Sequence, residues 1–209
     1  MSTIATPSFL PLFHRPTLLT TMTTSITTNV VSLQQKADAL FTTLTSRKAN
    51  TADPTLWLNY ARFLFDSISP PDPTRARALL PRAMQSVPAH LQRDLVASFA
   101  ALEYKCKNGD VERGRTAFEG LHDTYPKRGD LWDQRVALEI SRGDTAVARE
   151  VWERMSKVAG KKRRANFVFR KWMEFEEKYG DKKSVEKVKA KAQEWVEKHK
   201  AGADEEDGE

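Results

Sequence analysis

The stretch Leu138-Glu139-Ile140-Ser141-Arg142-Gly143-Asp144-Thr145-Ala146-Val147-Ala148-Arg149-Glu150-Val151-Trp152 decides the fold. A helix-like run closes on Leu138-Glu139. Gly143 can end that run in the left-handed conformation, and Asp144 can cap a second helix by accepting its orphan N–H groups. The second run then carries a small residue, an arginine, and a large apolar residue three positions after the arginine. The same grammar recurs outward from this stretch. Gly-Asp pairs stand at Gly109-Asp110, Gly129-Asp130 and Gly180-Asp181, and Leu102-Glu103 and Phe175-Glu176 close the runs before Gly109 and Gly180. Ala76-Arg77 leads to Leu80 and Gly114-Arg115 to Phe118, as Ala148-Arg149 leads to Trp152. A small residue lets the two helices of a hairpin approach while the large one fills the groove beyond. A spacing of roughly 34 to 38 residues between such units is that of a two-helix solenoid repeat. Val185-Glu186 occupies the small-Arg place in the fourth unit and departs from the rule.

The remaining segments follow the same punctuation. Asp53-Pro54 and Asp72-Pro73 each read as an N-cap followed by proline in the first helical turn. Between them Leu56, Trp57, Tyr60, Phe63 and Leu64 form an apolar stripe, and Pro81 is expected to kink or divide the helix from Pro73 to Val87. Further stripes run through Leu95, Phe99 and Leu102; Val111, Phe118 and Leu121; Leu131, Trp132, Val136 and Leu138; Val147, Val151, Trp152 and Met155; Phe167, Val168, Trp172, Met173 and Phe175; and Val185, Val188, Ala192, Trp195 and Val196. Asp130 is expected to cap the helix carrying Trp132. The predicted organisation is a Ser/Thr/Pro-rich leader over 1–32, a helical domain over 33–200 and a loose acidic tail over 201–209. The leader carries no acid and three prolines, Pro7, Pro11 and Pro16, so it is expected to be disordered. Its composition fits either a transit peptide or an upstream extension. Leu33, Ala37, Leu40, Phe41 and Leu44 predict a weakly amphipathic helix covering the open end of the array.

Composition narrows the function classes. The chain has 209 residues, 40% hydrophobic and 30% charged, as suits a helical protein with a charged surface. Its net charge of +6 comes from 34 basic against 28 acidic residues, so most charges have an opposite neighbour in reach and the total alone does not imply nucleic-acid binding. The lone Cys106 excludes an internal disulfide and a cysteine-rich zinc site. No apolar run approaches the roughly 20 residues that cross a bilayer.

The aromatic first helix, the recurring Leu-Glu or Phe-Glu, the small-Arg pair and the proline after it together resemble the half-a-tetratricopeptide, or HAT, repeat of RNA-processing proteins. Longer strings are similar to one family in particular: Leu56 to Phe65 (LWLNYARFLF), Ala76 to Pro88 (ARALLPRAMQSVP), Gly109 to Gly120 (GDVERGRTAFEG), Tyr125 to Trp132 (YPKRGDLW) and Lys171 to Gly180 (KWMEFEEKYG). They resemble the C-terminal HAT module of the eukaryotic ribosomal RNA biogenesis family known as rRNA-processing protein five, over about residues 54–199. That resemblance implies a nucleolar factor of the small-subunit processome, needed for cleavages of pre-ribosomal RNA. In the family an array of RNA-binding OB-fold domains precedes the repeats, and this sequence has no counterpart of it. What carries over is the repeat module's implied role in contacting processing factors and pre-ribosomal particles.

Candidate sites divide into packing and contact. Trp57, Tyr60, Leu80, Phe99, Phe118, Trp132, Trp152, Trp172 and Trp195 all lie on apolar stripes and read as repeat core. Of the tryptophans, Trp172 has the strongest claim to be a base-stacking platform, because Arg170 and Lys171 precede it. Lys157, Lys161, Lys162, Arg163, Arg164, Arg170 and Lys171 form the densest positive region. It reads as a solvated loop, as a contact for RNA or an acidic partner, or as a nuclear import signal. Glu103, Glu139 and Glu176 recur at equivalent places, which predicts ion pairs between helices with arginines such as Arg115 and Arg149 rather than acid–base chemistry. His14, His90, His122 and His199 make no metal-ligand spacing. Gly160-Lys161 lacks the upstream glycine of a phosphate-binding loop.

These observations predict an all-α, right-handed superhelical solenoid of about four helical hairpins, without catalytic residues, cofactor, metal or membrane segment. The expected role is a protein-interaction scaffold in pre-ribosomal RNA processing, in the nucleolus or nucleus, with possible direct RNA contact through the basic region. A HAT adaptor in pre-mRNA splicing or 3′-end processing, and a cytosolic tetratricopeptide-like regulatory module, are the alternatives.

Overall fold

A computed structural model describes the backbone of residues 17–206 and the side chains of residues 28–199. Among the described residues there are nine α-helices and no strand: α1 (Thr17–Ser46), α2 (Pro54–Arg62), α3 (Pro73–Ser86), α4 (Ala89–Lys105), α5 (Val111–Thr124), α6 (Gly129–Arg142), α7 (Thr145–Lys157), α8 (Lys162–Tyr179) and α9 (Lys182–Glu206). A π-helical turn, Phe63–Ser67, extends α2. Successive helices pair as hairpins α2/α3, α4/α5, α6/α7 and α8/α9, and each hairpin packs on the next. The chain is therefore an all-α solenoid. Its core is a series of clusters strung along the stack, as expected when each repeat contacts only its neighbours. Trp57, Tyr60, Phe65, Leu79 and Leu95 fill the first cluster. Tyr104, Phe118, Leu121 and Leu131 fill the middle one, and Trp132, Trp152, Met155, Trp172 and Phe175 the last.

Small residues in the second helices set the closest approaches. Ala76 and Ala148 are fully buried, and a Cβ on Gly114 would stand 2.6 Å from the Tyr104 ring. Phe118 and Trp152 are buried beyond them as expected. Leu80 is only half-buried, and Leu79 takes the core place instead. In α3 the buried stripe runs Ala76, Leu79, Ala83, the i, i+3, i+7 rows of a helix, and Leu80 falls to its edge.

The glutamates and arginines form rungs between hairpins. Arg77 donates to Glu103 through Nε and Nη2 at 2.7 and 2.9 Å. Arg115 donates to Glu139 at 3.0 and 2.7 Å, and Arg149 Nε to Glu176 at 3.0 Å. In every case the arginine of one hairpin's second helix reaches the glutamate of the next hairpin's first helix. Glu139 also accepts from the Tyr104 hydroxyl at 2.8 Å, and Glu176 from the Trp172 indole at 3.2 Å. Burial with several donors satisfies each carboxylate.

The punctuation behaves less uniformly than its repetition suggests. Only Gly143 ends its helix in the left-handed conformation, at φ 83°. Gly109 and Gly180 are needed for close approach: a Cβ on either would lie 2.4 Å from an oxygen of Glu103 or Glu176 respectively. Asp110 caps α5 by accepting from Glu112 and Arg113 N–H, and Asp181 accepts from Ser184 N–H. Asp130 is not the cap of α6. Arg128 holds the N-cap place, and Asp130 sits in the first turn paired with the Arg128 guanidinium at 2.7 Å. Asp144 makes no cap hydrogen bond either, because its carboxylate is taken by Arg115 at 2.7 Å. Asp53 and Asp72 cap α2 and α3 as read from the sequence.

Three boundaries differ from the expectation. Pro81 does not divide α3, which runs unbroken from Pro73 to Ser86. α1 begins at Thr17, well before the Leu33 expected from periodicity, so half of the leader is helical backbone and residues 1–16 lie outside the described residues. α9 continues to Glu206, into the segment expected to be loose, while residues 207–209 lie outside the described residues.

Candidate interaction surfaces

The stacking order leaves the first helices α2, α4 and α6 side by side, since α2 packs on α4 and α4 on α6. Between them lies a shallow groove of about 250 Å³ whose lining includes Asn59, Arg62, Ser98, Lys105 and Gln134. Arg62 and Lys105 are exposed and, among the described residues, form no ion pair. No carboxylate lines the groove. This groove was not foreseen from the sequence, where Arg62 and Lys105 look like ordinary solvated positions. Its signal is relational: cations at corresponding places on neighbouring helices, with no acid between them.

The structure splits the basic region into three parts. Arg164 is turned inward, its guanidinium donating to the Pro126 carbonyl at 2.6 Å. Desolvation there lowers its pKa below the ordinary arginine value, so it is a structural strut between α8 and the loop before α6. Lys157, Arg170 and Lys171 are compensated by Glu153 at 3.7 Å and by Glu174 at 3.9 and 3.0 Å. Lys161, Lys162 and Arg163 remain exposed and, among the described residues, without an ion pair. They are not a free loop. Lys161 is the N-cap of α8 and the other two begin its first turn, which holds no acid. Cations at this end oppose the helix dipole, which favours negative charge there.

The aromatic residues also sort differently from expectation. Trp57, Trp132, Trp152 and Trp172 are at most 4% exposed, so Trp172 is core and cannot stack on a base. Phe167 and Tyr179 are the exposed rings of α8, both at 37%, and the Arg170 guanidinium lies 5.8 Å above Phe167. Phe169 takes the buried place. Trp195 is half-buried, packing on the last core cluster while its other side borders solvent. The fading of the apolar stripe at Glu194, Glu197 and Lys198 around Trp195 was the sequence signal for this.

Two further polar side chains, His122 and Cys106, are buried in the core. His122 is 1% exposed, stacks on Trp132 with ring centroids 3.7 Å apart, and is held neutral by desolvation, its pKa lowered to about 4. Burial pushes the Cys106 thiol up to about 12. No group of three or more metal-ligating side chains occurs among the described residues. Among the described residues no helix is long and apolar enough to cross a membrane.

No family model matches the chain. Curated relatives do. It is 38% identical over 143 residues, or 68% of its length, to the rRNA biogenesis protein rrp5 of Schizosaccharomyces pombe. It is 33% identical over 142 residues to the Protein RRP5 homolog of Mus musculus, and 36% identical over 120 residues to the rRNA biogenesis protein RRP5 of Arabidopsis thaliana. The matched part is 8%, 7% and 6% of those proteins, so the chain spans less than a tenth of the length of the relatives it matches. The repeat class, the recurring rungs and these identities agree, and over the two thirds of its length that align, this chain belongs with the RRP5 family of rRNA biogenesis proteins.

Proposed function

We propose that the chain is a non-catalytic scaffold for pre-ribosomal RNA processing and small ribosomal subunit biogenesis, acting in the nucleolus or nucleus. Its partner is a processing factor that presents an acidic segment to the groove between α2, α4 and α6. The observation that carries this reading is the groove's lining: Arg62 and Lys105 unpaired, Asn59, Ser98 and Gln134 free to hydrogen-bond, and no carboxylate. An extended or helical acidic segment satisfies such a surface by charge complementarity and polar contacts. Membership in the family supports a binding role over a chemical one. The test is affinity purification of the tagged chain beside an Arg62→Glu/Lys105→Glu variant. The parent is expected to retain small-subunit precursor proteins and pre-rRNA. The variant loses the precursor proteins while keeping its thermal melting profile. Recovery of spliceosomal or 3′-end cleavage factors, or an unchanged partner set in the variant, refutes the reading.

A further inference from the structure

We propose that the end of the α8/α9 hairpin is a binding pocket for single-stranded RNA, in which a base stacks against Trp195 and neighbouring phosphates meet Lys161, Lys162 and Arg163. Two cavities meet at this side chain. One, of about 330 Å³, lies towards α7, and the other, of about 220 Å³, is bounded by Gly160, Lys162, Trp195, Val196 and His199. The smaller cavity has no acid in its lining. His199 already stacks on the indole, with centroids 3.8 Å apart and planes inclined by 15°, and its Nδ1 lies 2.9 Å from the Trp195 carbonyl oxygen. The pair is a ready stacking ladder that a nucleobase can extend or enter.

The indole N–H offers a second contact. Trp57, Trp132 and Trp172 spend theirs on Thr51, Pro126 and Glu176; those of Trp152 and Trp195 make no hydrogen bond among the described residues, and of these two only Trp195 borders a cavity open to solvent. The charge beside it is uncompensated. Lys161, Lys162 and Arg163 crowd the positive end of α8, so a phosphate placed there offsets both the side-chain repulsion and the dipole. Lys198, also without an ion pair among the described residues, lies on the wall of the larger cavity, which Glu153 and Glu194 line as well, so the purely cationic rim is that of the smaller cavity. A flat slot beside a cationic rim suits a nucleotide strand, in which every phosphate is joined to a ring that can stack, better than a run of acidic side chains without rings.

The test titrates the full chain with a fluorescein-labelled single-stranded 12-mer RNA at low salt, following probe anisotropy and tryptophan emission. Binding should quench an accessible minority of the emission, and Trp195→Phe should abolish the quench while keeping most of the affinity. Trp195→Leu and Lys161→Glu/Lys162→Glu should each weaken binding at least tenfold. The lysine pair should also flatten the dependence on log salt by about one for each lost phosphate contact. Circular-dichroism melting verifies that each variant is folded, and Trp195→Phe covers the case in which Trp195→Leu is not. Undiminished RNA affinity in a folded Trp195→Leu or lysine variant overturns the proposal. Equal binding of a duplex of the same length, or of a polyglutamate peptide, does so as well. Arg62→Glu/Lys105→Glu is expected to leave RNA binding unchanged, so this pocket and the groove stand or fall separately.

Discussion

Replacing Glu139 by leucine should destabilise the chain by about 3–5 kcal/mol, the cost of removing one partner from a buried, hydrogen-bonded ion pair. The carboxylate has no exposed side-chain surface. It accepts from Arg115 at 3.0 and 2.7 Å and from the Tyr104 hydroxyl at 2.8 Å. Its loss strands a hydroxyl in the middle core cluster and leaves an arginine, only 18% exposed, with a reduced set of acceptors. Asp144 and Glu112 still hold that guanidinium at 2.7 and 2.6 Å, which keeps the expected cost towards the lower end of the range. For a chain of this size that corresponds to a fall in melting temperature of about 10 °C. The partner experiment is Arg115→Met/Glu139→Leu, which removes the closest pair and fills the space with apolar volume, while Arg135, 3.8 Å from Glu139 and 6% exposed, keeps Glu119 at 3.3 Å. It should recover most of the loss, because a buried pair is worth little against a well-packed replacement of the same size. Urea denaturation followed by circular dichroism and tryptophan fluorescence supplies the four free energies of the cycle. The reasoning is refuted if Glu139→Leu lies within about 1 kcal/mol of the parent, or if the double variant is as unstable as the single one. An exposed pair gives the scale for comparison: Glu186→Ala, which breaks the 2.9 Å contact with Lys189, should cost under about 1 kcal/mol.

Acid should weaken the fold through His122, whose pKa is about 4 in the folded chain against 6.5 as its ordinary value. The unfolded chain binds the extra proton between these values, so stability is full above pH 6.5 and falls by about 2 kcal/mol by pH 5, a loss that His122→Phe should abolish in urea titrations at pH 8 and pH 5. Two glycines in α5 should respond oppositely in thermal melts. Gly114→Ala meets the Tyr104 ring at 2.6 Å and should cost about 1–3 kcal/mol, whereas Gly120→Ala meets nothing within 4 Å and should gain about 0.4–1 kcal/mol. The Cys106 thiol, buried and with its pKa raised to about 12, should resist iodoacetamide at pH 8 in the native chain and react promptly in urea.

The hairpins were legible because burial leaves a local signature. Trp57, Trp132, Trp152 and Trp172 had to lie on apolar stripes, and Gly114 and Ala148 had to be small where helices touch. Even the glutamate rungs could be anticipated, since a carboxylate recurring in every unit needs a recurring partner. Caps were less secure. Asp130 and Asp144 have the right chemistry and position, but Arg128 and Arg115 outcompete the backbone N–H groups for them. The surface was read least well. Lys161 to Arg164 are contiguous in sequence, yet one helical turn points Arg164 at Pro126 and leaves its neighbours in solvent. Trp195 and Lys162 are more than thirty residues apart, and only the folding of α9 back along α8 brings them to one cavity. Groove and pocket alike depend on which charges remain unpaired after the rungs form, a property of the assembled stack rather than of any one segment.

The rungs also give the array a polarity of assembly. Because each arginine reaches forward, the seam between hairpins carries the same complementarity wherever it occurs, and joining Ser86 to Gly129 by a short loop would bring Arg77 opposite Glu139 with the match preserved. Loss or gain of a whole hairpin is thus tolerable in evolution where a half-hairpin is not. At α9 the forward-reaching place belongs to Glu186 instead of an arginine, so the same rung does not start from that helix.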